Sequence, residues 1–152
     1  MSKIWRFEFD PFDYAKVTKP KGKKLSAILD EVADLVKESV LLDIGNSRSP
    51  VNGRSFKSLS PDYRKEKEAK GGSGKADLEL SGSMLDALTV KKTSNGKLQI
   101  LVDDPSQQGK VDGHNNFTGQ SKLPERKFIP DESEDFRPAI RKKIKTLIDE
   151  RG

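Results

Sequence analysis

The sequence predicts an α+β domain: an antiparallel sheet built on an Asn-Gly hairpin, two long amphipathic helices on one face, and long polar loops. Three observations predict it. Leu25, Ile28, Leu29, Val32, Leu35, Val36 and Val40 recur at helical spacing. Phe136, Ile140, Ile144, Leu147 and Ile148 repeat the pattern near the C-terminus. Between the two stripes, apolar segments flank Ser94-Asn95-Gly96, a strong hairpin signal.

In chain order, Trp5, Phe7 and Phe9 alternate with polar positions such as Glu8, the pattern of a half-buried strand over Ile4–Phe9. Asp10-Pro11 ends it. Residues 19–24 carry four lysines with Pro20 and Gly22, and read as a solvated linker, so that residues 1–24 form a strand and a Lys-rich connection. The first long helix runs from Leu25 to Ile44, and Gly45 is its natural stop. Its outer face is acidic, with Asp30, Glu31, Asp34 and Glu38 against a single Lys37.

Residues 45–75 are the least regular stretch, rich in Gly, Ser and Pro, with Val51, Phe56, Leu59 and Tyr63 as apolar anchors. A segment this long without periodicity is uncommon inside a small domain. The sequence reads it as an extended loop or arm whose four anchors pack on a neighbouring subunit. It holds a short helix after Ser60-Pro61 and ends in a Gly71–Gly74 hinge. Order resumes at Asp77, with a turn and a short helix through Met84, Leu85 and Leu88.

The hairpin's register follows from burial. A three-residue loop with left-handed Gly96 pairs Leu88 with Val102 and Val90 with Ile100, gathering the apolar side chains on one face. One residue of slip would scatter them. Residues 104–122 read as a second polar loop, and Leu123–Pro130 as an extended segment able to add an edge strand. Ser133 caps the closing helix, with Glu134 and Asp135 at its positive end and Pro138 tolerated near the first turn. Arg141, Lys142 and Lys145 make its far face basic.

Composition bounds the function. The chain of 152 residues fits a single domain spanning 1–152. It is 32% hydrophobic and 35% charged, a lean core with much surface. A net charge of +5 from 29 basic and 24 acidic residues gives a mixed-charge surface, not a polycation. There is no cysteine, which excludes disulfides, thiolate metal sites and a cysteine nucleophile. No stretch approaches the roughly 18 apolar residues of a membrane span, and the N-terminus lacks a signal-peptide run, so a soluble protein without a membrane partner is expected.

The catalytic inventory is thin. His114, the single histidine, sits in a Gly/Asn-rich stretch with no nucleophile elbow to serve. Asp103, Asp104 and Asp112 match no EF-hand loop. Gly71–Lys75 lacks the spacing of a phosphate loop. The expectation is a non-enzymatic protein with no cofactor or metal. Lys and Arg in the linker, the 45–75 stretch and the last helix keep a second reading open, a small basic nucleic-acid-binding protein, although no aromatic platform is interleaved with them.

The punctuation of the chain carries more. Ser49-Pro50-Val51-Asn52-Gly53-Arg54-Ser55-Phe56-Lys57-Ser58-Leu59-Ser60 is followed by a charged stretch with Tyr63 and Lys67, then by Asp77-Leu78-Glu79-Leu80-Ser81-Gly82-Ser83-Met84-Leu85. After the hairpin come Gly113-His114-Asn115-Asn116-Phe117-Thr118-Gly119, Leu123-Pro124-Glu125-Arg126-Lys127-Phe128-Ile129 and the closing helix. This order resembles the tailed-phage virion-morphogenesis or tail-completion family, over residues 25–150. Phe56 stands where that family commonly has tryptophan, Lys127 where it often has proline, and the N-terminal strand with its Lys-rich linker lies outside its pattern. The resemblance implies a structural subunit that completes or terminates the tail and helps join it to the head. It implies a homo-oligomeric ring around the DNA channel, with a hexamer among the orders it admits. Neck, connector and tail proteins would be its partners, and channel DNA a non-specific contact. The chain would be assembled in the host cytoplasm into the neck or tail of the virion. The acidic face (Asp30, Asp34, Glu38) and the basic face (Arg141, Lys142, Lys145) are expected to meet between subunits.

Overall fold

A computed structural model describes residues 5–46, 48–54, 86–115, 127–131 and 134–151. It is an α+β fold of helices on a three-stranded antiparallel sheet. In chain order the elements are β1 (Arg6–Phe9), α1 (Pro11–Ala15), α2 (Gly22–Gly45), β2 (Leu88–Lys92), β3 (Leu98–Val102), α3 (Gln108–Asn115) and α4 (Pro138–Arg151). A single 3-10 turn at Pro105–Gln107 leads into α3.

The strand order is β1-β3-β2, so β3 is central. β2 pairs with β3 in the register that places Leu88 opposite Val102 and Val90 opposite Ile100. β1 adds Phe7 opposite Ile100 and Phe9 opposite Leu98. Directly opposed residues share a face, so Phe7, Phe9, Leu88, Val90, Leu98, Ile100 and Val102 form one apolar surface. The Ser94–Gly96 loop closes through the Thr93 amide donating to the Lys97 carbonyl at 2.9 Å. Gly96 has φ +73°, and a Cβ there would sit 3.2 Å from Leu25 Cδ2. Both the conformation and the close approach to α2 call for glycine.

α2 covers this face with the row Ile28, Val32, Val36, Val40 and Ile44, all buried, as the i, i+4 geometry of a helix dictates. Ile140, Ile144 and Ile148 of α4 enter the same core. Phe136, just before α4, stands edge-on to Phe7 and Phe9, with ring centroids 5.6 and 5.2 Å away. α2 and α4 run antiparallel: Arg137 meets Asp43 near the end of α2, and Arg151 at the end of α4 meets Glu31.

Several boundaries differ from the sequence reading, each for a local reason. α1 is a helix the hydrophobic pattern does not announce. Asp10 caps it, its Oδ1 accepting the Phe12 amide at 3.0 Å, with Pro11 in the first turn. The Lys-rich stretch is not a free linker. Lys19 bonds Asp10 at 2.6 Å and the Gly96 carbonyl at 3.2 Å, and Lys23 and Lys24 already belong to α2. Gly45 is the last residue of α2 rather than the residue past it. The second polar loop contains α3: Asp104 caps the entering turn through the Ser106 amide, and Val111 anchors the helix in the core. α4 starts at Pro138, where a missing N–H costs nothing. Phe136 therefore belongs to the segment leading in, and the Ser133 cap lies outside the described residues. So do the short helix after Ser60-Pro61, the Gly71–Gly74 hinge and most of the Asp77–Leu88 helix. Lys127–Pro130 forms no strand.

Candidate functional site

The turn after α2, the end of α3 and the segment Lys127–Asp131 meet where they close on the core. Ser49 is buried, and its Oγ donates to the Lys127 carbonyl at 2.6 Å while accepting the amides of Val51 and Asn52. Asn115, at the end of α3, is 1% exposed. Its Oδ1 accepts the amides of both Phe128 and Ile129 at 2.9 Å, and its Nδ2 donates to the Val111 carbonyl at 2.9 Å. Phe128 and Ile129 are fully buried. Buried amides need acceptors; here one side chain supplies them, which is why Lys127–Pro130 needs no strand partner.

A charged latch adjoins this hub. The Asp43 carboxylate, 4% exposed, receives Arg137 Nε at 2.8 Å and Nη2 at 2.9 Å. The paired, planar geometry is that of a strong charge-assisted contact. The bond to Asp43 pushes the Arg137 guanidinium above its ordinary pKa, against the opposing effect of burial. The Arg137 amide also donates to the Pro50 carbonyl at 2.7 Å, and the Arg48 amide to the Asp43 carbonyl at 2.8 Å. The end of α2, the turn at Ser49–Gly53 and the start of α4 are thus tied to one another.

This overturns the arm reading at its first anchor. Val51 is 8% exposed and packed within its own subunit, because the turn Ser49–Gly53, closed by the Gly53 amide on the Ser49 carbonyl at 2.9 Å, folds back onto the core. The other anchors, Phe56, Leu59 and Tyr63, lie outside the described residues.

The two charged helix faces are also placed differently from the expectation. Asp34 and Glu38 of α2 and Lys142 of α4 line the two walls of one open groove of about 790 Å³, joined there by Lys143. The antiparallel packing of α2 on α4 brings the acidic and basic stripes alongside each other within one subunit. The remaining candidates are elsewhere. Asp30 is exposed and pairs with Lys92 at 2.9 Å. Arg141 is half-buried, its Nε donating to the Phe136 carbonyl at 2.9 Å. Lys145 pairs with Asp149, four residues along its own helix, at 2.6 Å. Arg151 bonds Glu31 at 2.6 Å across one end of the groove, which raises its pKa.

The residues that organise the site, Ser49, Asn115, Asp43 and Arg137, were not singled out by sequence reasoning. Asp43 does leave a signal: it lies seven residues after Val36 on the buried side of α2, an acid where the pattern asks for an apolar side chain. His114 lies in α3 rather than in a loop. Among the described residues no group of three or more His, Asp and Glu is arranged to hold a metal ion, and no helix is long and apolar enough to cross a membrane. Comparison with known proteins gives no match to a family, to a curated sequence or to a solved structure.

Proposed function

We propose that this chain is a non-enzymatic structural subunit of a tailed-phage virion, placed at the neck or tail end, where it completes the tail and joins it to the head as a ring around the DNA channel. The observation that carries the reading is the interlock of its resemblance-bearing segments. Ser49 of the Ser49–Gly53 segment bonds the carbonyl of Lys127, 78 residues on. Asn115 of the Gly113–Gly119 segment bonds the amides of Phe128 and Ile129. Segments that close one hub must appear in a fixed order with fixed chemistry, which is the property the resemblance rests on.

The experiment is negative-stain electron microscopy and native mass spectrometry of the chain expressed alone and together with the products of its flanking genes. Annular particles, alone or on a partner, are expected. A chain that stays monomeric in every combination overturns the reading. A DNA-binding isotherm across a salt series tests the other reading: tight binding with a steep salt slope and no annular particle favours a nucleic-acid-binding protein.

A further inference from the structure

We propose that the groove between α2 and α4 is a self-association surface, occupied by the same groove of a second copy related by a two-fold axis running along it. The argument starts from charge. One wall presents Asp34 and Glu38, the other Lys142 and Lys143, and among the described residues none of these four side chains makes an ion pair. At one end the walls do meet, Arg151 bonding Glu31 at 2.6 Å, but along the rest of the groove these four charges have no ion-pair partner among the described residues of the copy. The half-buried Leu35 and Leu147 lie between them.

A groove whose middle is split into an acidic and a basic wall, with Glu150 and Arg151 of α4 at its end, constrains its occupant. Rotation by a half-turn about the groove axis exchanges the walls and turns the face over, so the acidic wall of each copy lies on the basic wall of the other. A two-fold axis across the groove would instead set acid on acid and base on base, which like-charge repulsion disfavours. A second copy is the one partner certain to carry the matching pattern, because an isologous contact uses the same patch twice.

A second observation extends the face. Leu42 is 57% exposed, the most exposed large apolar side chain among the described residues. It lies seven residues, two helical turns, beyond Leu35, and borders a shallow depression with Asp34, Glu38 and Leu41 that continues the groove along α2. From Glu31 to Leu42 this line is about 17 Å long, and two helices side by side are about 20 Å wide. The projected area, roughly 350 Å² per copy and so about 700 Å² in total, falls below the roughly 1,000 Å² that a stable specific interface clears. The pair is therefore a weak, concentration-dependent one. It does not rest on the ring reading, which microscopy tests separately.

Sedimentation velocity over a concentration series tests it, with the double variants Asp34→Lys/Glu38→Lys and Lys142→Glu/Lys143→Glu. All four positions are exposed, so thermal melts serve to show that both variants fold. The wild-type chain is expected to rise from monomer to at least twice that mass, and to fall back as salt is raised. Each variant alone, with two like walls, is expected to remain monomeric. Their equimolar mixture, with complementary charge at the four substituted positions, is expected to pair again one to one. A wild-type chain that is monomeric throughout, leaving the groove to a helix of another protein or to residues 55–85 of its own chain, overturns the proposal. So do folded variants that associate as the wild type does, or a folded mixture that fails to pair.

Discussion

Asp43 and Arg137 show how unequal two halves of one contact can be. The Asp43 side chain retains 6% of its surface, whereas the Arg137 side chain retains 18%. Removing the arginine leaves a carboxylate enclosed in protein, and such an uncompensated charge costs about 3–5 kcal/mol. Replacing the acid with its amide leaves a guanidinium that water can still reach. Arg137→Met is therefore expected to destabilise the fold by about 3 kcal/mol or more, and Asp43→Asn by clearly less. Urea titrations of the two variants check this; equal losses would mean that the salt bridge itself, rather than the stranded carboxylate, sets the cost. Polar residues of this kind are the hardest to read in a sequence. Ser49 and Asn115 look like loop residues, because nothing local distinguishes a buried hydrogen-bond hub from a solvated turn. Their partners, Lys127 and Phe128–Ile129, lie 78 and 13–14 residues away.

Among the elements, α1 is tied to the segment before α4 by a hydrogen bond: the Tyr14 hydroxyl donates to Asp135 Oδ1 at 2.5 Å. Burial first, and then the neighbouring Asp135 carboxylate, push the Tyr14 phenol well above its ordinary pKa. The phenol must therefore stay protonated in the fold but is free to ionise once unfolded. The sign follows. This contribution is fully present below the unfolded value of about 10 and is lost progressively as pH rises above it. Wild-type stability is expected to fall between neutral pH and strong alkali, and Tyr14→Phe to flatten that fall, read from denaturation midpoints over a pH series. The elements that were legible share one trait. α2, α4 and the β2–β3 register all follow apolar periodicity, which burial enforces wherever the partner happens to lie. α1 and α3 were not legible in that way. Each is short and is specified by an aspartate cap and a proline, Asp10-Pro11 and Asp104-Pro105, a signal equally at home in a turn.

For the whole molecule, the lean composition anticipated by the sequence is met by economy of layers: one three-stranded sheet, covered by α2 and α4, with the charged stripes of those helices left side by side at the surface. Sequence alone could grade each helix face as acidic or basic. It could not say that the faces would be neighbours, because that depends on the antiparallel crossing fixed by Arg137–Asp43 at one end and Arg151–Glu31 at the other. Of the seven expected interface residues that are described, three, Asp34, Glu38 and Lys142, line one groove, and Val51 is buried.

The hub around Ser49 has one further consequence, in terms of chain entropy. The backbone enters residues 55–85 from a turn pinned by Ser49 and by the Arg137 amide. It leaves them at Ala87, whose carbonyl accepts the Asp103 amide at 2.8 Å. The first end is held through Ser49 and Arg137, and the second through the sheet. The entropy of closing a chain segment grows with the logarithm of its length, so halving or doubling it changes stability by only about 0.6 kcal/mol. Replacing residues 55–85 by a Gly/Ser bridge of half their number is expected to shift the urea midpoint by about that much. Any larger loss measures directly the packing that this stretch contributes to its own subunit. The same arithmetic leaves the length of this stretch open to change at little entropic cost.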